Sequence, residues 1–131
     1  MNRPSDASSE ELAAAYATGD LSPVEATQSV LDRIDAWEPK INAMFLVHRE
    51  SALAAARESE KRWKRGEPRS PLDGVPITIK ENIYTRGDPA PIGTAANPDT
   101  LQQTDAPAAA RVREAGCVIV GKTTMPDDSM P

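Results

Sequence analysis

The sequence predicts an α/β protein in which helices cover a mixed β-sheet. Helical and strand patterns follow one another along its 131 residues in the order helix, helix, strand, helix, strand, helix, strand. Residues 117–120 form a short, wholly apolar run, which is typical of a strand in a sheet that is covered on both faces. No linker or internal repeat divides the chain, so we expect residues 1–131 to belong to a single domain.

The first two helices are predicted from their N-terminal caps. Residues 8–11 have the spacing of a capping box, and Gly19 marks the end of the helix that follows. Residues 22–25 repeat this spacing with proline at the first helical position, and we expect the second helix to stop before Pro39. One apolar stripe along it contains Val24, Val30, Leu31 and Ile34.

The remaining elements follow from periodicity and from glycine and proline positions. Residues 41–47 alternate as a first strand, and a third helix is expected from near His48 to Gly66. A proline-rich loop is predicted at residues 85–103, before a helix capped by Asp105.

Composition restricts the classes of protein and of partner. The net charge is −5 without a basic stripe, so we expect no direct binding of nucleic acid. No run approaches the roughly 20 apolar residues of a membrane span, and the N-terminus has no apolar signal core. With a single cysteine there is no disulfide framework. We expect a cytoplasmic protein without membrane contact.

A lysine at the end of a strand is the main candidate for chemistry. The two prolines and the glycine of residues 71–76 predict a rigid turn that leads into a short strand. Ile77 and Ile79 would face one side, and Thr78 and Lys80 the other. Removal of water from the amine would lower its pKa and make it a general base. A solvated surface charge is the alternative.

Other candidate residues favour structural roles. Asp73 could be an acid, but beside a glycine it more naturally supports the turn. Cys117 lies in an apolar run without an adjacent cation, so we expect a buried, inert thiol. His48 is the only histidine, which leaves no Ser-His-Asp triad and no histidine-based metal cluster.

Residues 116–123, GCVIVGKT, match the pattern of a nucleotide-binding P-loop. A P-loop follows a strand and opens a helix, whereas here the variable positions are themselves strand-like and Pro126 follows closely. We therefore keep nucleotide binding only as a remote alternative. In the favoured interpretation these residues are a strand and its exit, with Lys122 a structural or surface lysine.

Residues 71–82, PLDGVPITIKEN, resemble the lysine motif of the amidase signature family, serine hydrolases with a Ser-Ser-Lys triad. The resemblance continues through Gly and Thr at 93–94, DAP at 105–107 and RVREAGCVIVGKT at 111–123. It implies hydrolysis of a carboxamide C–N bond in a small-molecule amide through an acyl-serine intermediate. Lys80 would be the base, and no metal or cofactor is implied.

The resemblance runs from about residue 8 to residue 127 and covers only the front of a longer family domain. We thus expect a truncated, N-terminal portion of the amidase signature fold. The family's glycine- and serine-rich loop has no counterpart, because the one serine after Lys80 is Ser129, which has no glycine near it. Glu81 stands where many members have aspartate, and residues 128–131 depart from the family pattern.

Without the serine loop, this chain alone is expected to be inactive. A protein resembling the amide-hydrolysing subunit of a tRNA-dependent amidotransferase and a non-catalytic interaction fragment remain as alternatives. The sequence leaves open which amide is the substrate and whether identical chains form a homo-oligomer.

Overall fold

The computed structural model describes residues 3–41, 44–80 and 107–123, and in this part of the chain the predicted order of elements is confirmed. The elements are a 3-10 turn at Pro4–Asp6, α1 at Ser9–Thr18, α2 at Pro23–Ile41, β1 at Met44–Val47, α3 at Arg49–Lys64, β2 at Pro76–Lys80, α4 at Pro107–Glu114 and β3 at Val118–Thr123. The predicted loop at 85–103 and the Asp105 cap lie outside the described residues.

The three described strands form one mixed sheet in the order β1-β3-β2. The central strand β3 pairs antiparallel with β1 and parallel with β2. On the β2 side the register runs from Pro76 opposite Val118 to Lys80 opposite Thr123, with an irregularity between Ile77 and Thr78. The end of the lysine-bearing strand is thus held beside the end of the central strand.

Both predicted capping boxes are present. The Glu11 amide donates to Ser8 Oγ at 3.1 Å, and the Ser8 amide donates back to the Glu11 carboxylate at 3.0 Å. Ser22 and Glu25 make the same reciprocal pair at 3.1 and 3.0 Å. Two backbone donors at each helix start are therefore satisfied by nearby side chains.

The predicted boundaries of three elements were wrong. Helix α2 does not stop before Pro39 but continues to Ile41, since a proline this close to the end removes only the bond to the Asp35 carbonyl. Strand β1 begins at Met44 instead of residue 41. Strand β3 continues past Val120 because β1 and β2 supply pairing on both of its edges.

The core is built mainly from small and medium-sized side chains. Val118 and Val120 of β3 pack against Leu31 of α2 and against Ala52 and Ala56 of α3. Two further clusters both contact Ile77 of β2; one contains Leu12, Tyr16, Ala26 and Val75, and the other Ile79, Ala109 and Ile119. Alanines at these contacts let the helices approach the sheet closely. None of the described helices is long and apolar enough to cross a bilayer.

Candidate functional site

The turn that leads into β2 requires glycine. Gly74 has φ +82°, and a Cβ there would lie 2.5 Å from Ser59 Oγ and 2.9 Å from a Pro23 ring carbon. Its amide donates to the Gly116 carbonyl at 2.9 Å. The backbone thus approaches α2, α3 and the end of α4 so closely that no side chain fits.

Asp73 lies next to this glycine and its side chain is fully buried. Its carboxylate accepts hydrogen bonds from Ser59 Oγ at 2.6 Å and from the Arg69 amide at 2.7 Å. Arg62 donates through Nε and Nη2, both at 2.7 Å. We call Ser59, Arg62, Arg69 and Asp73 the Asp73 cluster. The alternative that Asp73 supports the turn is the one that the geometry favours.

The charges of the Asp73 cluster stabilise each other. Burial alone would raise the pKa of Asp73, but the hydrogen bonds from Arg62, the Arg69 amide and Ser59 lower the pKa below its usual value. The hydrogen bonds that Arg62 donates to Asp73 also raise the pKa of Arg62. Asp73 is therefore an ionised partner of Arg62 at neutral pH, which is the wrong state for a general acid.

Two aromatic residues bind the backbone of the same turn. The Tyr16 hydroxyl donates to the Gly74 carbonyl at 2.9 Å, and Trp63 Nε1 donates to the Asp73 carbonyl at 3.0 Å. The two rings lie 5.7 Å apart at an interplanar angle of 60°. Burial raises the pKa of Tyr16, so it stays a hydrogen-bond donor. Sequence analysis missed Tyr16, because 58 residues separate it from Gly74.

Lys80 stands at the carboxyl end of β2, opposite Thr123 of the central strand. For Thr78 and Ile79 the predicted alternation is present: Ile79 is only 6% exposed and packs on Ala109 and Ile119, whereas Thr78 is exposed. The side chain of Lys80 lies outside the described residues. Its role as a base therefore stays a prediction.

Lys122 is fully buried, so of the two roles predicted for it the structural one is correct and the surface one is wrong. It lies within β3 opposite Ile79, one ladder position before the pair formed by Lys80 and Thr123. Gly121 is paired on both sides, with Val47 and with β2. A glycine, lysine and threonine held in a central strand cannot curl around a phosphate, and the P-loop alternative is wrong.

Cys117 precedes β3 instead of lying within it, and its thiol is half-buried. It lines a cavity of about 260 Å³ with Ala55, Glu58, Arg62, Arg69, Arg113 and Gly116. Burial raises the pKa of the Cys117 thiol, and the Asp73 carboxylate raises it further. The thiol is thus protonated at neutral pH. The prediction that Cys117 is buried was wrong, because the residue is only half-buried, and its inertness stays a prediction.

Comparison with known proteins places this geometry in a family. The sequence model of the family described as Amidase matches residues 25–130. The chain is 41% identical over 123 residues to the A subunit of the glutamyl-tRNA(Gln) amidotransferase of Salinispora tropica, covering 94% of this chain and 25% of that protein. It is 38% identical over 119 residues to the indoleacetamide hydrolase of Bradyrhizobium diazoefficiens, covering 91% and 23%.

Solved structures agree with the sequence relatives. The native peptide amidase of Stenotrophomonas maltophilia superposes with a TM-score of 0.84 at 30% identity, over 92% of this chain and 25% of that one. A bacterial aryl acylamidase of the amidase signature enzymes gives a TM-score of 0.86 at 25% identity, over 92% and 26%. The chain spans about a quarter of the length of the proteins it matches.

Proposed function

This chain belongs to the amidase signature family, and we propose on that basis that it is the lysine-bearing part of an enzyme that hydrolyses a carboxamide. Lys80 would be the general base, and the substrate would be a small-molecule amide. The observation that carries the proposal is the position of Lys80 at the end of a strand whose start is fixed by the Asp73 cluster. A strand held at its start and along one edge is a rigid support for a catalytic amine.

In the proposed reaction, the neutral amine of Lys80 accepts a proton relayed through one serine from the nucleophilic serine. The nucleophilic serine attacks the amide carbonyl, and the proton returns through the relaying serine to the leaving amine. Water then hydrolyses the acyl-serine. The single serine after Lys80 in this sequence, Ser129, lacks the neighbouring glycines of an oxyanion loop. We therefore expect this chain alone to release no product from simple amides.

A chimera tests the proposal. This chain would replace the matching quarter of the Bradyrhizobium indoleacetamide hydrolase, and turnover of indoleacetamide would be measured. Lys80→Ala and Lys80→Arg should each lower kcat by about two to four orders of magnitude, since arginine stays protonated. Lys122→Met is the matched control and should lower stability while the folded protein keeps its turnover. Near-normal turnover of Lys80→Arg would refute the assignment.

The similarity to the Salinispora protein supports an amidotransferase subunit as the second candidate. A second chimera, in which this chain replaces the matching quarter of that Salinispora protein, distinguishes the two candidate functions when it is assayed within the complete amidotransferase. Activity in that chimera alone favours the amidotransferase. Folded but inactive chimeras in both hosts favour the non-catalytic interaction fragment.

The single cysteine is compatible with the cytoplasm, which we propose as the site of action. Sedimentation of the purified chain tests whether identical chains form a homo-oligomer. A molar mass that stays at 14.1 kDa over a wide concentration range would exclude it.

A further inference from the structure

We propose that Asp73 is a positioning residue that fixes the register of β2 on β3, and with it the sheet face on which Lys80 stands. The catalytic meaning of this inference rests on the proposed function. Its structural content does not, because it concerns the pairing of two described strands.

The Asp73 cluster lies where the two parallel strands begin. Next to Asp73, the Gly74 amide bonds the Gly116 carbonyl at 2.9 Å, and the Val118 amide bonds the Val75 carbonyl at 2.9 Å. The carboxylate also packs against Gly116, where a Cβ would lie 2.6 Å from Asp73 Cγ. One buried side chain therefore joins α3 to the turn before β2 and to the turn before β3.

The pairing between β2 and β3 is short and irregular, so its register depends on where it starts as well as on the buried side chains of the two strands. Strand β2 has five residues, and its pairing with β3 is irregular between Ile77 and Thr78. Because side chains alternate with a period of two, a slip of one residue would move Lys80 to the opposite face. A short, irregular ladder needs a fixed starting point.

Burial makes the Asp73 cluster specific for one arrangement. The carboxylate is charged and fully buried, and α3 provides three of its four hydrogen bonds. A turn displaced by one residue would leave this charge buried without those donors, which costs far more than an exposed ion pair. The correct register is thereby favoured over its neighbours.

Amide hydrogen exchange of the 131-residue chain, followed by NMR, tests the proposal. Arg62→Lys keeps the charge but loses the two-bond geometry with Asp73. We expect exchange at residues 77–80 to become about tenfold faster or more, and the cross-strand contact between Lys80 and Thr123 to weaken, while Leu31 in α2 changes less than about twofold. Arg111→Lys is the matched control, since Arg111 makes an equally bidentate but exposed pair with Glu114.

Two results would overturn the proposal. Equal acceleration in β2 and α2, including complete unfolding of Arg62→Lys, would show that the cluster only adds to global stability. Unchanged exchange in β2 would show that register does not depend on it. Neither result bears on whether Lys80→Arg inactivates the chimera, so failure of this inference and failure of the proposed function are separable.

Discussion

Replacing Gly116 with alanine should be one of the most damaging single-methyl changes in the described part of the chain. Gly116 has φ +91°, and its Cβ would lie 2.6 Å from Asp73 Cγ and 2.7 Å from the nearer carboxylate oxygen. Gly66 is a matched control, because its φ is +72° and a Cβ there would meet nothing within 4 Å. Both variants carry backbone strain, but only one adds a contact with the buried carboxylate.

The two contributions can be given magnitudes. A left-handed conformation costs a residue other than glycine roughly 1–2 kcal/mol. Forcing a methyl group into a filled interior costs about 1–3 kcal/mol more. Gly66→Ala should therefore lose about 1–2 kcal/mol of unfolding free energy and Gly116→Ala about 2–5 kcal/mol. The carboxylate cannot retreat easily, because Arg62, Ser59 and the Arg69 amide hold it.

Urea unfolding at pH 7, followed by circular dichroism, measures the difference. With a slope of about 1–3 kcal/mol/M, the Gly116→Ala midpoint should lie about 1 M below that of Gly66→Ala. In an Asp73→Ala background the excess cost of Gly116→Ala should disappear, because the group it meets has been removed. Equal midpoints for the two glycine variants would refute the close approach of Gly116 to Asp73.

Three further predictions concern the same region. Because the pKa of Asp73 is lowered in the folded chain, the ionised carboxylate stabilises the fold at neutral pH. The urea midpoint should therefore fall as the pH drops below 3.8, the ordinary pKa of an aspartate, and it should fall less in Asp73→Asn, which has no carboxylate to protonate. Tyr16→Phe should lose about 1–3 kcal/mol in urea unfolding, since the Gly74 carbonyl loses its buried donor; a loss below about 0.5 kcal/mol would contradict this. Because burial raises its pKa, Cys117 should react with iodoacetamide at pH 7.5 more slowly than in the urea-unfolded chain; equal rates would count against the burial.

Local patterns predicted the helix starts and the order of elements well. Ser8, Glu11, Ser22 and Glu25 act over three residues, so their bonds can be inferred from spacing alone. The end of α2 was misplaced because Pro39 lies so near the helix end that it removes only one backbone bond, whereas the end of β3 was misplaced because distant contacts decide it. Strand β3 extends to Thr123 since two other strands pair with it, which a local apolar run does not reveal.

The residues around the turn show the same limit. The neighbouring glycine was enough to predict that Asp73 supports the turn. Its partners could not be predicted in the same way, because Ser59 and Arg62 lie 14 and 11 residues away on a helix. Only α3 geometry, with these residues on one face, brings them to the carboxylate. The burial of Lys122 was likewise not predictable, because a lysine beside two threonines reads as polar.

The central strand of the sheet is also the last described strand in the chain, and this orders the folding events. Met44 pairs with Thr123 and Pro76 with Val118, so neither β1 nor β2 has its described partner until β3 has been synthesised. Two of the three core clusters include β3 residues. Such long sequence separations slow folding, because loop closure must precede the contacts that reward it. On the ribosome, the first two described strands would lack their described partner until the central strand emerges, and in that time they could be bound by chaperones.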